Sequence, residues 1–280
     1  MSLHDVVNAK LLKLLDGASD QRAALNDAMR LLGKWRSVLI ANTLLERHGT
    51  SVMQGPLEGL DFLAASSEGC HVAKILGCYE QPLQPFIEAA IAQKYETVLN
   101  IGCAEGYYAV GMARNMPQTV VHAFDLDGAA RVKCEELAAN NAVQNRVVVG
   151  GEFLPADFAR YANQSVLVMC DIEGAELQLL HPHESPALRE MDIIVESHEC
   201  LSDGITQKLM HRFESTHHIT MVGDDGQRTL KKAPEWFVNL AHLDQLLATW
   251  EWRSGATPWL VMTVKNRPAP LLEQPVSRED

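Results

Sequence analysis

Two apolar runs in the second half of the chain end in groups able to move protons. Val166-Leu167-Val168-Met169-Cys170 is followed by Asp171, Glu173 and Glu176, and a later run closes on Glu196-Ser197-His198. In an open α/β sheet, ligands bind along the edge where the parallel strands end. Asp171, Glu173, Glu196 and His198 are therefore expected on one rim. A histidine there, with an ordinary pKa near ~6.5, suits a general base, and Asp171 and Glu173 are its candidate catalytic partners. The same four side chains offer oxygen and imidazole donors to a divalent metal. Against that stands a simpler role for Glu173 and Glu176 in the first turn of a helix, where acids complement the dipole. No metal is favoured.

A second constellation lies upstream. Val98-Leu99-Asn100-Ile101-Gly102-Cys103-Ala104-Glu105-Gly106-Tyr107-Tyr108 reads as a buried strand, a glycine turn and the start of a helix. Gly102 and Gly106 let a ligand approach the backbone, and a helix N-terminus offers unpaired N–H groups. A further apolar strand, Val120 to Phe124, then ends at Asp125, whose carboxylate can accept from both hydroxyls of a ribose. The combination points to a nucleoside cofactor.

These residues need a scaffold, and from Thr97 onward strands and helices alternate as in a doubly wound, mostly parallel sheet. Strands are expected at 97–102, 119–124, 146–150, 165–170 and 191–196, with helices near 106–115, 128–142, 155–162 and 174–181. Later elements are a strand through His218–Gly223, a helix near 236–249 and a last strand over 257–264. The turn signal Asp224-Asp225-Gly226 separates the first two. Residues 3–48 read as two helices broken near Gly17–Asp20, with Ser19 or Asp20 as N-cap. In the second, Leu25, Met29, Leu32, Trp35 and Leu39 form an apolar stripe that calls for cover, by the core or by a second copy of the chain. Residues 49–82 are rich in glycine, serine and proline, as lids and binding loops are. From there Tyr79 and Glu80 are expected to reach the site. The expected organisation is an N-terminal helical and lid region (1–82), a cofactor-binding domain (83–265) and a polar, proline-rich tail (266–280).

Composition narrows the partners. The formal charge of −12 over 280 residues, with no basic run, argues against nucleic acid. No apolar stretch approaches the ~20 residues a membrane span needs, and the N-terminus lacks the pattern of a secretory signal. Six cysteines without C-x-x-C spacing fit a reduced, cytoplasmic protein. The late tryptophans, Trp236, Trp250, Trp252 and Trp259, read most simply as core or sheet-covering residues, with an aromatic wall for a substrate as the alternative.

The sequence V-L-N-I-G-C-A-E-G-Y-Y, followed in order by A-F-D-L-D, L-A-A-N-N-A-V-Q-N-R-V-V-V and D-I-E-G-A-E, resembles the class I S-adenosylmethionine-dependent methyltransferases. The last element is similar to that of the FkbM-type branch. The resemblance spans about residues 95–200. It implies a seven-stranded, Rossmann-like methyltransferase fold with an N-terminal helical extension. It also implies S-adenosyl-L-methionine as cofactor and O-methylation of a small-molecule or sugar hydroxyl (class EC 2.1.1). Gly102, Cys103, Ala104, Gly106 and Tyr107 would hold the methionine end of the cofactor. Asp125 would take its ribose, Leu126, Glu152 and Phe153 its adenine, and Asp171 would sit near the methyl group. Tyr79, Glu80, Tyr108 and Glu196 are the expected acceptor-binding residues. One departure is Asn100, where many members of the class carry an acid.

Two other readings share the strand–loop–helix–acid pattern. A nicotinamide-dependent oxidoreductase would need G-x-G-x-x-G spacing, which the loop G-C-A-E-G lacks, and Glu105 is unwelcome beside a diphosphate. A non-catalytic scaffold binding a protein partner would have no need of Asp125 and Asp171. A homodimer through the N-terminal helices is the other partnership the sequence suggests.

Overall fold

The computed structural model describes residues 2–66 and 69–266. Among them, seven strands make one sheet in the order β3-β2-β1-β4-β5-β7-β6. The strands are β1 (Thr97–Ile101), β2 (Val120–Phe124), β3 (Val147–Gly150), β4 (Val166–Cys170), β5 (Asp192–Glu196), β6 (His217–Val222) and β7 (Trp259–Val264). The first five run parallel, and β7 is antiparallel to both its neighbours. This is the doubly wound, mostly parallel, seven-stranded Rossmann-like sheet expected from the sequence. Its order reverses between β1 and β4, which opens a crevice at their carboxyl ends.

β1, β4, β5 and β7 are buried along their whole length, which explains their nearly continuous apolar runs. Alternate residues enter two separate cores, as the pleat requires. Val98, Leu167, Met169, Ile194 and Trp259 face one, and Leu99, Val168, Cys170, Ile193 and Leu260 face the other.

The first core is covered by α2 (Gln21–His48), α3 (His71–Leu76), α4 (Gln84–Gln93), α5 (Tyr107–Asn115) and α6 (Gly128–Asn140). The glycine- and proline-rich segment contributes Val52, Leu57, Leu60 and Phe62 to this same core. The second core is covered by α7 (Glu176–Leu179), α8 (Ile205–Phe213) and two 3₁₀ turns, Pro155–Tyr161 and Pro186–Glu190. α1 (Leu3–Leu15) packs on α2, and α9 (Glu235–Val238) and α10 (His242–Thr249) lie between β6 and β7, α10 against α2.

The break between α1 and α2 is as expected, with Asp20 as the N-cap accepting from Ala23 N. The buried face of α2 is not. Leu25, Met29 and Leu32 are exposed, while Ala24, Ala28, Gly33, Ser37, Ile40 and Leu44 are buried. The small residues allow close approach. A Cβ on Gly33 would meet Leu247 Cδ2 at 3.3 Å, with Trp250 and Trp252 just beyond. Around Gly33 there is no room for a large side chain, and Leu25, Met29 and Leu32 turn outward while Trp35 and Leu39 are half-buried.

Three helix expectations change as well. Residues 155–161 form a 3₁₀ helix after Pro155, and α7 shrinks to a single turn. The helix expected near 236–249 is split into α9 and α10, and α8 lies where no helix was foreseen. The final strand begins at Trp259, two residues later than expected. Of the expected tail, residues 267–280 lie outside those described.

Candidate active site

The crevice begins at the turn after β1. Gly102 adopts φ +78°, and a Cβ there would lie 1.6 Å from the carbonyl oxygen of Asp171. Only glycine lets the two strand ends approach this closely. Gly106 adopts φ +90° at the N-terminus of α5, where a Cβ would strike Cys134 Sγ at 2.6 Å. It lies beneath the loop and lines no part of the groove. At the end of β2, Asp125 accepts from Ala104 N at 2.8 Å and from Asp127 N at 2.8 Å. The acid after one strand thereby fixes the loop after its neighbour.

Three connected spaces open from this point. A groove of about 500 Å³ runs along Gly102, Asp125, Leu126, Glu152 and Phe153 to Asp171 and Glu173. Phe153 forms its floor, edge-on to Phe124. A smaller inner pocket lies between Gly102, Cys103, Ala104, Tyr107, Tyr108 and Asp171. A third chamber, of about 200 Å³, is lined by Tyr79, Asp171, Glu173, Glu196, His198 and Arg253, among others. All three meet at Asp171.

The structure brings the four rim residues together. His198 Nε2 lies 3.5 Å from Asp171 Oδ1, 3.6 Å from Glu173 Oε2 and 3.7 Å from Glu196 Oε2. Its Nδ1 is 2.6 Å from Glu176 Oε1. Burial opposes the imidazolium, but the bond to Glu176 and the charges of Glu196, Glu176 and Glu173 outweigh it and raise the His198 pKa above its ordinary value. Asp171, Glu196 and His198 also hold ligand atoms within 4.8 Å of one another. Donors of this kind, two carboxylates and an imidazole, suit a hard divalent cation.

Glu173 is expected beside Glu176 in the helix start, yet the two diverge. Glu173 is largely exposed with φ +53°, whereas Glu176 is fully buried and also accepts from Gly174 N at 3.0 Å. Glu176 is thus the residue that orients His198.

The expected acceptor residues divide. Tyr79 lines both the inner pocket and the third chamber. Glu80 is buried behind the chamber wall, where Tyr108 donates to it at 2.6 Å and Arg253 at 2.9 Å. Burial, then the charge of Glu196, pushes Glu80 up to about 8. Glu196 faces the chamber but one of its oxygens is held by Arg253. Arg253 in turn bonds Thr257 at 2.5 Å and Glu251 at 3.2 Å. Burial works against its charge, and Glu80, Glu196 and Glu251 override this and keep it firmly protonated. Arg228 bridges Glu251 to Asp224, so the predicted turn at Asp224 also anchors this network.

Glu105 corrects an argument made from sequence. It points away from the groove and is fully buried against Lys74, 2.6 Å from its ammonium. Lys74 Nζ also sits 4.8 Å from the Tyr79 ring centroid. The acid therefore presents no charge to a ligand, and only the glycine spacing counts against a dinucleotide. Arg253, Glu251 and Lys74 were invisible as site residues, since they join the site only through long-range packing.

No protein-family model matches the sequence, and no curated protein matches it. Solved structures do resemble the chain. One is the O-methyltransferase TomG from Streptomyces achromogenes, in complex with SAM, at 11% identity and a TM-score of 0.46; the match covers 66% of this chain and 79% of that one. Another is an O-methyltransferase from Bacillus cereus in complex with SAH, at 10% identity and a TM-score of 0.43, covering 93% of this chain and 99% of that one. Neither likeness assigns a role to any residue here. Among the described residues, no helix is long and apolar enough to cross a membrane.

Proposed function

We propose that the chain is a class I S-adenosylmethionine-dependent methyltransferase acting on a hydroxyl of a small molecule or sugar, and that its D-I-E-G-A-E element marks it as FkbM-like. The observation that carries this reading is the meeting at Asp171 of two spaces. One is a groove lined by Asp125 and Phe153, and the other is a chamber containing His198. The groove suits a nucleoside: Asp125 for ribose hydroxyls, Leu126 and Phe153 for a flat base, and the glycine turn for close backbone approach. When bound, the sulfonium supplies an electrophilic methyl group with a neutral thioether as leaving group.

The protein's part is alignment and proton removal. Neutral His198 would take the proton of the acceptor hydroxyl at Nε2. Glu176 fixes the ring through Nδ1 and stabilises the resulting imidazolium. Asp171 and Glu173 face the reacting end of the chamber, and Tyr79, with Glu196 held by Arg253, forms its wall. Tyr108 and Glu80 support that wall through their mutual bond.

A second reading, a divalent cation on Asp171, Glu196 and His198, is supported by the convergence of their ligand atoms. Such an ion would lower the pKa of an acceptor hydroxyl. The exposed Leu25, Met29 and Leu32 support a homodimer through α2.

The test uses methyl-tritiated S-adenosylmethionine with the small-molecule fraction of the source cells. We expect enzyme-dependent transfer of label, with S-adenosylhomocysteine formed in equal amount, and loss of at least a hundredfold in His198→Gln. Loss on chelation with recovery on Mg²⁺ would select the metal reading. An enzyme that binds the cofactor yet transfers no label would overturn the assignment.

A further inference from the structure

The chamber beside His198 is strongly acidic. Asp171, Glu173, Glu196 and Glu251 line it, against a single guanidinium, that of Arg253. That guanidinium is already shared among Glu80, Glu196 and Glu251. A phosphate or carboxylate on the acceptor would therefore meet like charge with no free cation to offset it. A positively charged acceptor meets the opposite.

Glu196 gives this charge a specific address. Its side chain is only 5% exposed, and Arg253 holds just one of its two oxygens. The other, Oε2, makes no hydrogen bond among the described residues and lies 3.7 Å from His198 Nε2. A buried carboxylate oxygen without a donor is costly, and a ligand that donates to it removes the cost. Glu173 Oε2 stands 3.6 Å from the same ring nitrogen, so two carboxylates flank the point where the acceptor hydroxyl would be held.

Size decides what kind of cation belongs there. The chamber offers about 200 Å³, against the roughly 10–15 Å³ that one water-sized group requires. Tyr79, Leu201 and Trp252 contribute aromatic and apolar wall. A bare ion would leave most of this space empty and would gain nothing from such walls. An organic body the size of one sugar ring uses both.

We propose that the acceptor is an amino alcohol: its ammonium donates to Glu196 Oε2 and Glu173, and the hydroxyl to be methylated sits on the neighbouring carbon, as in an amino sugar. The adjacency follows from the 3.6 and 3.7 Å separations, which place the two carboxylate oxygens beside the same His198 nitrogen that faces the hydroxyl. This deepens the methyltransferase reading and rests on it.

Three probes of one size separate the charges: trans-2-aminocyclohexanol, trans-1,2-cyclohexanediol and trans-2-hydroxycyclohexanecarboxylate. Saturation-transfer NMR titrations at neutral pH, on the protein loaded with S-adenosylhomocysteine, should show the amino alcohol bound about tenfold or more tighter than the diol. The carboxylate should bind more weakly than either. Glu196→Gln and Glu173→Gln should each weaken the amino alcohol at least threefold and leave the diol within twofold. Unchanged S-adenosylhomocysteine affinity reports that the variants are folded, and Glu173 is exposed enough to be replaced without loss of the fold. Equal affinity for amino alcohol and diol, or no binding of the amino alcohol, would overturn the inference. So would a diol that binds only with Mg²⁺ while Mg²⁺ expels the amino alcohol, since the carboxylates would then serve a metal. A wild type that fails to bind S-adenosylhomocysteine would instead overturn the methyltransferase reading.

Discussion

His198 Nδ1 lies 2.6 Å from Glu176 Oε1, and Glu176 is fully buried one turn into the segment that follows β4. This pair joins the ends of β4 and β5 and turns the other ring nitrogen, Nε2, toward Asp171 and the open chamber. On the proposed reading it makes a strand-end histidine an oriented base.

The pH dependence follows from that pair. His198 must be neutral to accept a proton, and its pKa is raised, so the rate should climb with pH along a limb centred above ~6.5. Glu176→Gln removes one of the raising contributions. The limb should move to lower pH and kcat should fall, with KM for the cofactor little changed. A pH–rate profile of both proteins checks this. An unmoved limb would mean that His198 is not the titrating base.

Gly102 and Gly151 both border the nucleoside groove, yet they should respond oppositely to alanine. At Gly102 the new Cβ would overlap Asp171 O, in a conformation that side chains disfavour. Gly102→Ala should cost about 3 kcal/mol or more and abolish cofactor binding. At Gly151 nothing lies within 4 Å, and Gly151→Ala should stay within about 0.5 kcal/mol of wild type. Thermal melts with S-adenosylhomocysteine present and absent measure both.

Lys74 and Glu105 form a buried ion pair at the Gly102–Gly106 loop. Removing one charge leaves the other buried and uncompensated, so Lys74→Met or Glu105→Gln alone should cost about 3–5 kcal/mol. The double variant should recover much of that loss. A double-mutant cycle by chemical denaturation checks the sign, and additive losses would contradict it.

What the sequence revealed follows from which interactions are local. The central parallel strands β1, β4 and β5 were readable because burial on both faces demands nearly unbroken apolar runs, as in Val166–Cys170. The edge of the candidate site was readable because Gly102, Asp125 and Asp171 each directly follow a strand. The buried side of α2 was not, since Gly33 and Ala28 pack by being small and leave no apolar signature, whereas the conspicuous Leu25 and Met29 are exposed. Nor did Arg253 stand out. Its partners Glu80 and Glu196 are brought to it only when β7 adds antiparallel to β5 and the 50–83 segment packs over β1. Glu176 was seen as an acid at a helix start, and only the register of β4 against β5 turns it toward His198.

The central claim is that the Asp125 groove holds the nucleoside of S-adenosylmethionine. Its most direct test is a calorimetric titration of the purified chain with S-adenosylhomocysteine, run beside NADH, on wild type and Asp125→Ala. The account predicts that S-adenosylhomocysteine alone binds, and that the variant weakens it about tenfold or more, as loss of hydrogen bonds to a carboxylate should. Binding of NADH in its place, or of neither ligand, would contradict it.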